Sequence, residues 1–246
     1  MVAVAMAAVL AEPAAIAAVG RTAGSFGVSP MGAATYTIPI WVPPGPRGVQ
    51  PTLALTYNSQ SGNGVVGDGW SLSGAALSIE RCRQPKAVGP YFGKIDLTAA
   101  DRFCINGNRL RTTGGSVYGA AGSTYQTEIA DFSTITALWT AGTGPQSFKI
   151  YSKDGLIYEF GNTSDSRVLV GTNASVLSWM LNKVSDRNGN NYVITYNNAT
   201  GFAVPSSISW APLSAGSTVY EYVVNFSYTT TRTDADSSIV SDQVTA

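Results

Sequence analysis

Three dipeptides limit what this chain can fold into. Asn106-Gly107, Asp154-Gly155 and Asn188-Gly189 each separate two short runs of β-forming residues. The first divides Arg102–Ile105 from Asn108–Arg111, the second Phe148–Lys153 from Leu156–Phe160, and the third Leu181–Asp186 from Asn191–Tyr196. Asn, Asp and Gly tolerate the positive φ angles of a type I′ turn, whose twist matches that of two paired strands. Antiparallel hairpins are therefore expected at all three places. Further β-type runs are Thr35–Ile40, Thr52–Tyr57, Ala76–Arg81, Val176–Val184 and Val219–Tyr228. Many alternate, as in Tyr192–Tyr196, where Tyr, Ile and Tyr share one face. After residue 24 no stretch keeps apolar residues at helical spacing for long enough to make a helix. The expectation is an all-β chain built as an antiparallel, hairpin-rich sheet.

The charge content narrows the function. Lys and Arg number 15, Asp and Glu 15, and histidine is absent. Charged residues are 12% of the chain, against roughly 25% in an average soluble domain. Phosphate binding needs clustered cations, and here they are scattered, the tightest group being Arg81-Cys82-Arg83 with Lys86 nearby. A nucleic-acid partner is not expected, nor is a polybasic membrane patch. Without histidine, Ser-His-Asp, Cys-His and zinc-histidine sites cannot be built. Two cysteines cannot supply a four-thiolate metal site either, so no cofactor and no metal are expected.

The chain divides into three parts. Residues 1–23 form an apolar, Ala-rich leader. Ala15-Ile16-Ala17 is a small-x-small cleavage pattern of the kind that ends a secretory signal. Glu12 and Pro13 interrupt the run, so a membrane-spanning helix, which needs about 20 apolar residues, is not expected there. Residues 24–230 hold the β pattern. Residues 231–246 are polar, with no apolar periodicity, and read as a flexible tail or a point of truncation.

Several residue groups are candidates for chemistry. Cys82 and Cys104 are the only cysteines. In an exported chain an even count suggests a disulfide, worth about 3 kcal/mol through loop closure; in a cytosolic chain they would be two buried thiols. Glu128 and Asp131 form a carboxylate pair of the kind glycosidases use, although two acids this close also arise by chance. Asp186-Arg187-Asn188-Gly189-Asn190 puts oxygen side chains at alternate positions, as a calcium loop does. However, its Gly falls fourth rather than sixth, and Asn197 stands where the bidentate Glu would be. The Gly-rich segment Ser59–Ser73 lacks the Lys-Ser/Thr of a phosphate loop. It reads as an irregular turn that packs Trp70 into the core. Pro39 and Pro43-Pro44-Gly45-Pro46 exclude a central strand and point to an edge or a wrapping segment. Asn-x-Ser/Thr sequons stand at Asn162, Asn173, Asn198 and Asn225.

Residues Gly32–Arg81 carry a resemblance. A Gly-x-x-x-Tyr-x-Ile-Pro-Ile strand is followed by a Pro-Gly turn, a Pro-x-Leu-x-Leu-x-Tyr-x-Ser strand, then Ser-Gly-Asn-Gly and Gly-x-Gly-Trp-Ser-Leu. This order resembles the opening of the SpvB N-terminal domain family, named for the Salmonella plasmid virulence protein B. The same block opens the B component of insecticidal Tc toxins and many RHS-repeat proteins. Asp101–Leu110, Tyr125–Phe132, Lys153–Gly161 and Trp179–Tyr196 are similar to later blocks of the family.

The resemblance implies the first part of a hollow β-shell that encloses a C-terminal toxic polypeptide. Its implied partners are the rest of that shell, in the same chain or another, and the enclosed toxin. It carries over no catalytic residue, so the chain is expected to be non-enzymatic. It also implies a secreted or extracellular protein. The alternative is a stand-alone secreted β-rich module that binds cell-surface or envelope ligands through exposed Trp and Tyr.

Overall fold

The computed structural model describes residues 23–75, 77–83, 94–170, 174–228, 238–240 and 243–245. The leader through residue 22 and the sequon at Asn173 lie outside the described residues. The described chain is almost entirely β, and its sheets are antiparallel.

The first sheet holds β1 (Ser25–Val28), β2 (Ala34–Ile40), β3 (Leu53–Asn58) and, beyond a two-stranded excursion of β4 (Asn63–Gly64) and β5 (Gly67–Asp68), β6 (Trp70–Ser73). Their order is β1-β2-β3-β6. Contrary to the proline argument, β2 is an inner strand. It tolerates Pro39 because β1 reaches only Thr37, so that Pro39 faces β3 on one side and no strand on the other. Trp70 also departs from expectation. It is half-buried on β6 and lies against its cross-strand partner Tyr57, with ring centroids 5.3 Å apart, not in the core. The excursion from Asn63 to Asp68 absorbs the glycines and leaves Trp70 at the sheet surface.

The second sheet takes β7 (Ser78–Cys82), β8 (Arg102–Ile105), β9 (Asn108–Gly114), β10 (Thr124–Thr127), β11 (Thr134–Ala141), β12 (Gly144–Tyr151) and β13 (Ile157–Phe160). It continues with β14 (Arg167–Leu169), β15 (Val176–Ser185), β16 (Asn191–Ala199), β17 (Phe202–Pro212) and β18 (Tyr220–Asn225). Strands β7 to β13 pair in succession, and β15 pairs with both β7 and β13, so eight strands close into a barrel. Closure works because β15 is ten residues long. Its first half meets β7 through Ser178–Met180, and its second half meets β13 through Leu181–Ser185. On its remaining edges β15 carries β14 and a wing of β16, β17 and β18. Within the tail, β19 (Ser238–Val240) pairs with β20 (Gln243–Thr245).

Alternation fills the barrel. Ile79, Phe103, Tyr125, Ile135, Phe148, Phe160, Trp179 and Leu181 are all at most 2% exposed. They form one core with Leu53 and Leu72 of the first sheet and Ile194, Ile208 and Trp210 of the wing. Trp210 Nε1 donates to Pro43 O at 2.9 Å, which ties the proline-rich segment to the wing.

All three expected hairpins form, but only one uses the expected turn. Asn106 and Gly107 both have positive φ, 50° and 75°, between paired Ile105 and Asn108, which is type I′ geometry. At Asp154-Gly155 and Asn188-Gly189 only the glycines do, at 84° and 89°. There the closing pairs are Ser152 with Leu156 and Asp186 with Asn190, so each loop has a third residue and ends on a left-handed Gly. The Asp and Asn side chains act locally instead. Asp186 Oδ1 accepts from the Asn188 and Asn190 amides at 2.8 and 3.0 Å. Substituting Gly155 by Val is expected to cost about 1–2 kcal/mol, the penalty of a β-carbon in the left-handed region. A β-carbon at Gly155 would meet only Arg187 Nε, at an ordinary contact distance of 3.9 Å, so the backbone sets most of the cost. Urea denaturation measures it, and an unchanged midpoint would remove the hairpin from the stability account.

Candidate functional site

The barrel has two unlike ends. At one, Arg81 of β7 points inward on the face it shares with Ile79, and is 2% exposed. A bare guanidinium there would be costly, so its donors are spent. Nε donates to Val176 O at 2.7 Å; Nη1 donates to Thr98 O at 2.8 Å and to Asp101 Oδ2 at 3.0 Å; and Nη2 reaches Thr143 Oγ1 at 3.4 Å. Its cation also lies 5.8 Å from the Phe103 ring centroid and 5.9 Å from that of Trp179. Burial pulls the guanidinium below its ordinary pKa, and the hydrogen bond and charge of Asp101 push it back. Gly144 leaves the room for this, since a β-carbon there would meet Nη2. The Thr98 carbonyl and the Asp101 carboxylate come from residues 94–101 between β7 and β8, which also give Leu97 O to Thr143 Oγ1, while Val176 O belongs to β15. Residues 94–101 plug the barrel.

Cys82 and Cys104 clasp the base of the same loop. Their sulfurs are 2.09 Å apart and their Cα atoms 5.8 Å apart. On the β7–β8 ladder Cys82 faces Arg102 and Cys104 faces Glu80, so the bond runs diagonally across two strands. Loss of the bond in a Cys82→Ser, Cys104→Ser variant is expected to cost about 3 kcal/mol, the closure entropy of a loop this long. Denatured, unreduced protein is expected to show no free thiol, and two thiols per chain would contradict the bond.

The other end of the barrel is an open mouth. A cavity of about 220 Å³ is lined by Leu77, Ile105, Ile150 and Phe160 and rimmed by Asn106 and Asp131. Asp131 is one of the two acids of the carboxylate pair. Partial burial pushes its pKa up, but hydrogen bonds from Ser133 and Thr127 outweigh that and hold it below the ordinary value. Ser133 Oγ and N donate to Asp131 Oδ1 at 2.6 and 3.0 Å. A general acid needs the opposite shift. Glu128 is exposed, one residue past β10. Asp131 therefore shapes a turn.

The other sequence candidates resolve in the same way. The Asp186 carboxylate is occupied by Asn188 and Asn190, its Oδ2 accepting from Asn190 Nδ2 at 2.7 Å. Burial raises its pKa and these bonds lower it further, leaving it below the ordinary value. Among the described residues no group of three Cys, Asp or Glu is placed to hold a metal. The sequon side chains of Asn162 and Asn198 already donate, to Glu159 Oε2 and to the Asp165 and Arg167 carbonyls; Asn225 is exposed on β18. No helix among the described residues is long and apolar enough to cross a membrane.

The sequence reading missed the Arg81–Asp101 pair. The signal was present, since Ile79 and Arg81 fall on one face of an alternating strand. It also missed the edge of the wing. On β18 Glu221, Val223 and Asn225 are exposed, and among the described residues only β17 pairs with it.

Comparisons place this architecture. No curated protein matches the chain in sequence. A crystal structure of TcdB2-TccC3 superposes with a TM-score of 0.63 at 20% identity, covering 80% of this chain and 10% of that one. A Tc holotoxin pore from Photorhabdus luminescens gives 0.60 at 20% identity, with the same coverage. The N-terminal domain of effector protein SpvB from Salmonella typhimurium strain LT2 gives 0.56 at 20% identity, covering 71% of this chain and 63% of that one. The chain thus spans about a tenth of the Tc chains it matches, and the likeness to all three is one of fold. The family described as SpvB, Salmonella virulence plasmid 65kDa B protein, matches residues 28–245. With nearly the whole described chain inside that match, this protein belongs to the SpvB family.

Proposed function

We propose that this chain is a non-enzymatic wall domain of a secreted RHS/Tc-type toxin, the opening part of a β-shell that encloses a toxic polypeptide. The observation that carries the reading is the wing. A closed barrel hands its sheet through β15 to β16, β17 and β18, and among the described residues β18 pairs with β17 alone. An open edge of this kind invites the next strand of a larger sheet. The filled barrel has no room for a cargo of its own, so enclosure requires further chain. The inward groups with the strongest electrostatics, Arg81 and Asp101, are tied to each other and to carbonyls, which suits a structural role.

The test is the native gene product. Its intact mass and its mass in solution are measured together. A chain that continues into RHS-type β repeats, or a stable complex with a separate β-rich shell chain, is expected. A free monomer of this domain alone would overturn the proposal.

A further inference from the structure

The outer face of the sheet carries a polar cleft that the shell reading does not use. Lys149, Glu159, Lys183 and Val193 pair in one row across β12, β13, β15 and β16. Beside that row β15 is bulged. Glu159 faces Lys183 and Phe160 faces Leu181, so Asn182 is the extra residue. A bulge re-aims a side chain, and here Asn182 lines a cavity of about 380 Å³ together with Glu159, Asp165, Lys183, Thr218 and Tyr220. That volume lies in the usual range for small-molecule sites, about 300–1,000 Å³.

Asn182 is 5% exposed. Its Oδ1 accepts from the Asn162 amide at 3.1 Å, while its Nδ2 donates to no described residue. Among the described residues the one buried side-chain polar atom without a partner is Ser147 Oγ, so Asn182 Nδ2 opens onto the cleft, where water or a ligand can take its hydrogen bond. Its neighbours are also partly unspent. Asp165 Oδ2 accepts from Tyr196 N at 2.8 Å, leaving Oδ1 without a partner among the described residues. Lys183 Nζ makes no ion pair with a described residue, and Thr218 Oγ1 makes no hydrogen bond with one. Glu159, by contrast, is held by Asn162 Nδ2 at 2.9 Å and by Lys149 at 3.6 Å.

The unspent set is mixed: an amide donor, an ammonium, a hydroxyl and a carboxylate oxygen. An anion would meet Glu159 and Asp165, and a cation would meet Lys183. A hydroxyl both donates and accepts, so a neutral ligand rich in hydroxyls satisfies every member. Val193 and the Tyr220 ring give such a ligand an apolar wall for its C–H face. We infer that this cleft binds a neutral sugar unit, held by Asn182 Nδ2, Lys183 Nζ, Thr218 Oγ1 and Asp165 Oδ1. The inference does not depend on whether the domain forms a shell wall.

The test is saturation-transfer NMR on the purified chain. Glucose, galactose and N-acetylglucosamine at millimolar concentration are the probes, with inorganic phosphate and glucuronate as charged controls. Saturable transfer from at least one neutral sugar is expected. Lys183→Met and Thr218→Val lie at the cleft surface and should each weaken binding about tenfold or less, as the loss of a single hydrogen bond does. Asn182→Ala should weaken binding by a similar factor, and the two surface variants keep the test sound if that one misfolds. Absence of transfer from all three sugars to folded protein would overturn the inference. So would binding that the two surface variants leave unchanged, or preferential binding of the charged controls.

Discussion

Replacing Asp101 with alanine is expected to remove about 3–5 kcal/mol of folding stability, the usual cost of stranding one member of a buried ion pair. The Arg81 side chain has no exposure and that of Asp101 only 4%, so water cannot take the carboxylate's place. Asp101 also accepts from the Asp96 amide at 3.2 Å, so its loss loosens the plug loop as well as the cation. An Arg81→Met, Asp101→Ala double variant is the informative partner. It removes the buried charge, leaves the Val176 carbonyl and Thr143 Oγ1 short of a donor and takes the carboxylate acceptor from the Asp96 amide, while Thr98 O keeps the residue-101 amide. It should therefore be more stable than Asp101→Ala alone, because an apolar replacement of a buried pair is often close to neutral. Urea denaturation of the wild type and the two variants measures both differences. If Asp101→Ala loses less than about 1 kcal/mol, the charge must reach solvent and the loop is not a plug.

The resemblance blocks in the sequence acquire physical reasons in this arrangement. Asp101 is the counter-ion of Arg81. Phe103, Tyr125 and Trp179 meet inside the barrel, and Gly155 and Gly189 close hairpins with left-handed residues. The hairpins were legible because turn chemistry is local. Barrel closure was not, because it depends on which strands share β15, and pairing between residues as far apart as Ser78 and Met180 leaves no local mark. The inward Arg81 was half legible, visible in the alternation of β7, although a charge on a core face is rare. The bulge at Asn182 had a faint signal of its own. The buried apolar positions of β15 run 179, 181, then 184, a slip from a period of two to a step of three. The turn types were misjudged because Asp and Asn have two ways to serve a turn. They can adopt positive φ, or accept from amides ahead of them, and Asp186 takes the second.

Trp179 fills the barrel from β15, the strand that also carries the wing. Truncation to alanine should cost about 3–5 kcal/mol. The ring is fully buried, edge-on to Phe148 at 4.9 Å and to Phe103 at 5.3 Å, and its Nε1 donates to Pro145 O at 3.1 Å. Alanine would leave a cavity beside Arg81, end both ring contacts and leave the Pro145 carbonyl without that donor. Gly161 shows how closely the site is filled, since a β-carbon there would collide with the indole Cδ1. Trp179→Phe keeps a ring and should lose clearly less, about 1–3 kcal/mol, from the unmade hydrogen bond and the smaller side chain. The position on β15 adds a second, sharper expectation. This strand closes the barrel with β7 on one edge and β13 on the other, and carries β16 along the β7 edge at Lys183–Ser185. Loosening it should raise hydrogen exchange in both the barrel strands and the wing. Exchange that rises in the barrel alone would mean that the wing is a separate unit held by its own core around Ile208 and Trp210. Since domains are stable by only about 5–15 kcal/mol, the alanine variant should come close to unfolding at physiological temperature.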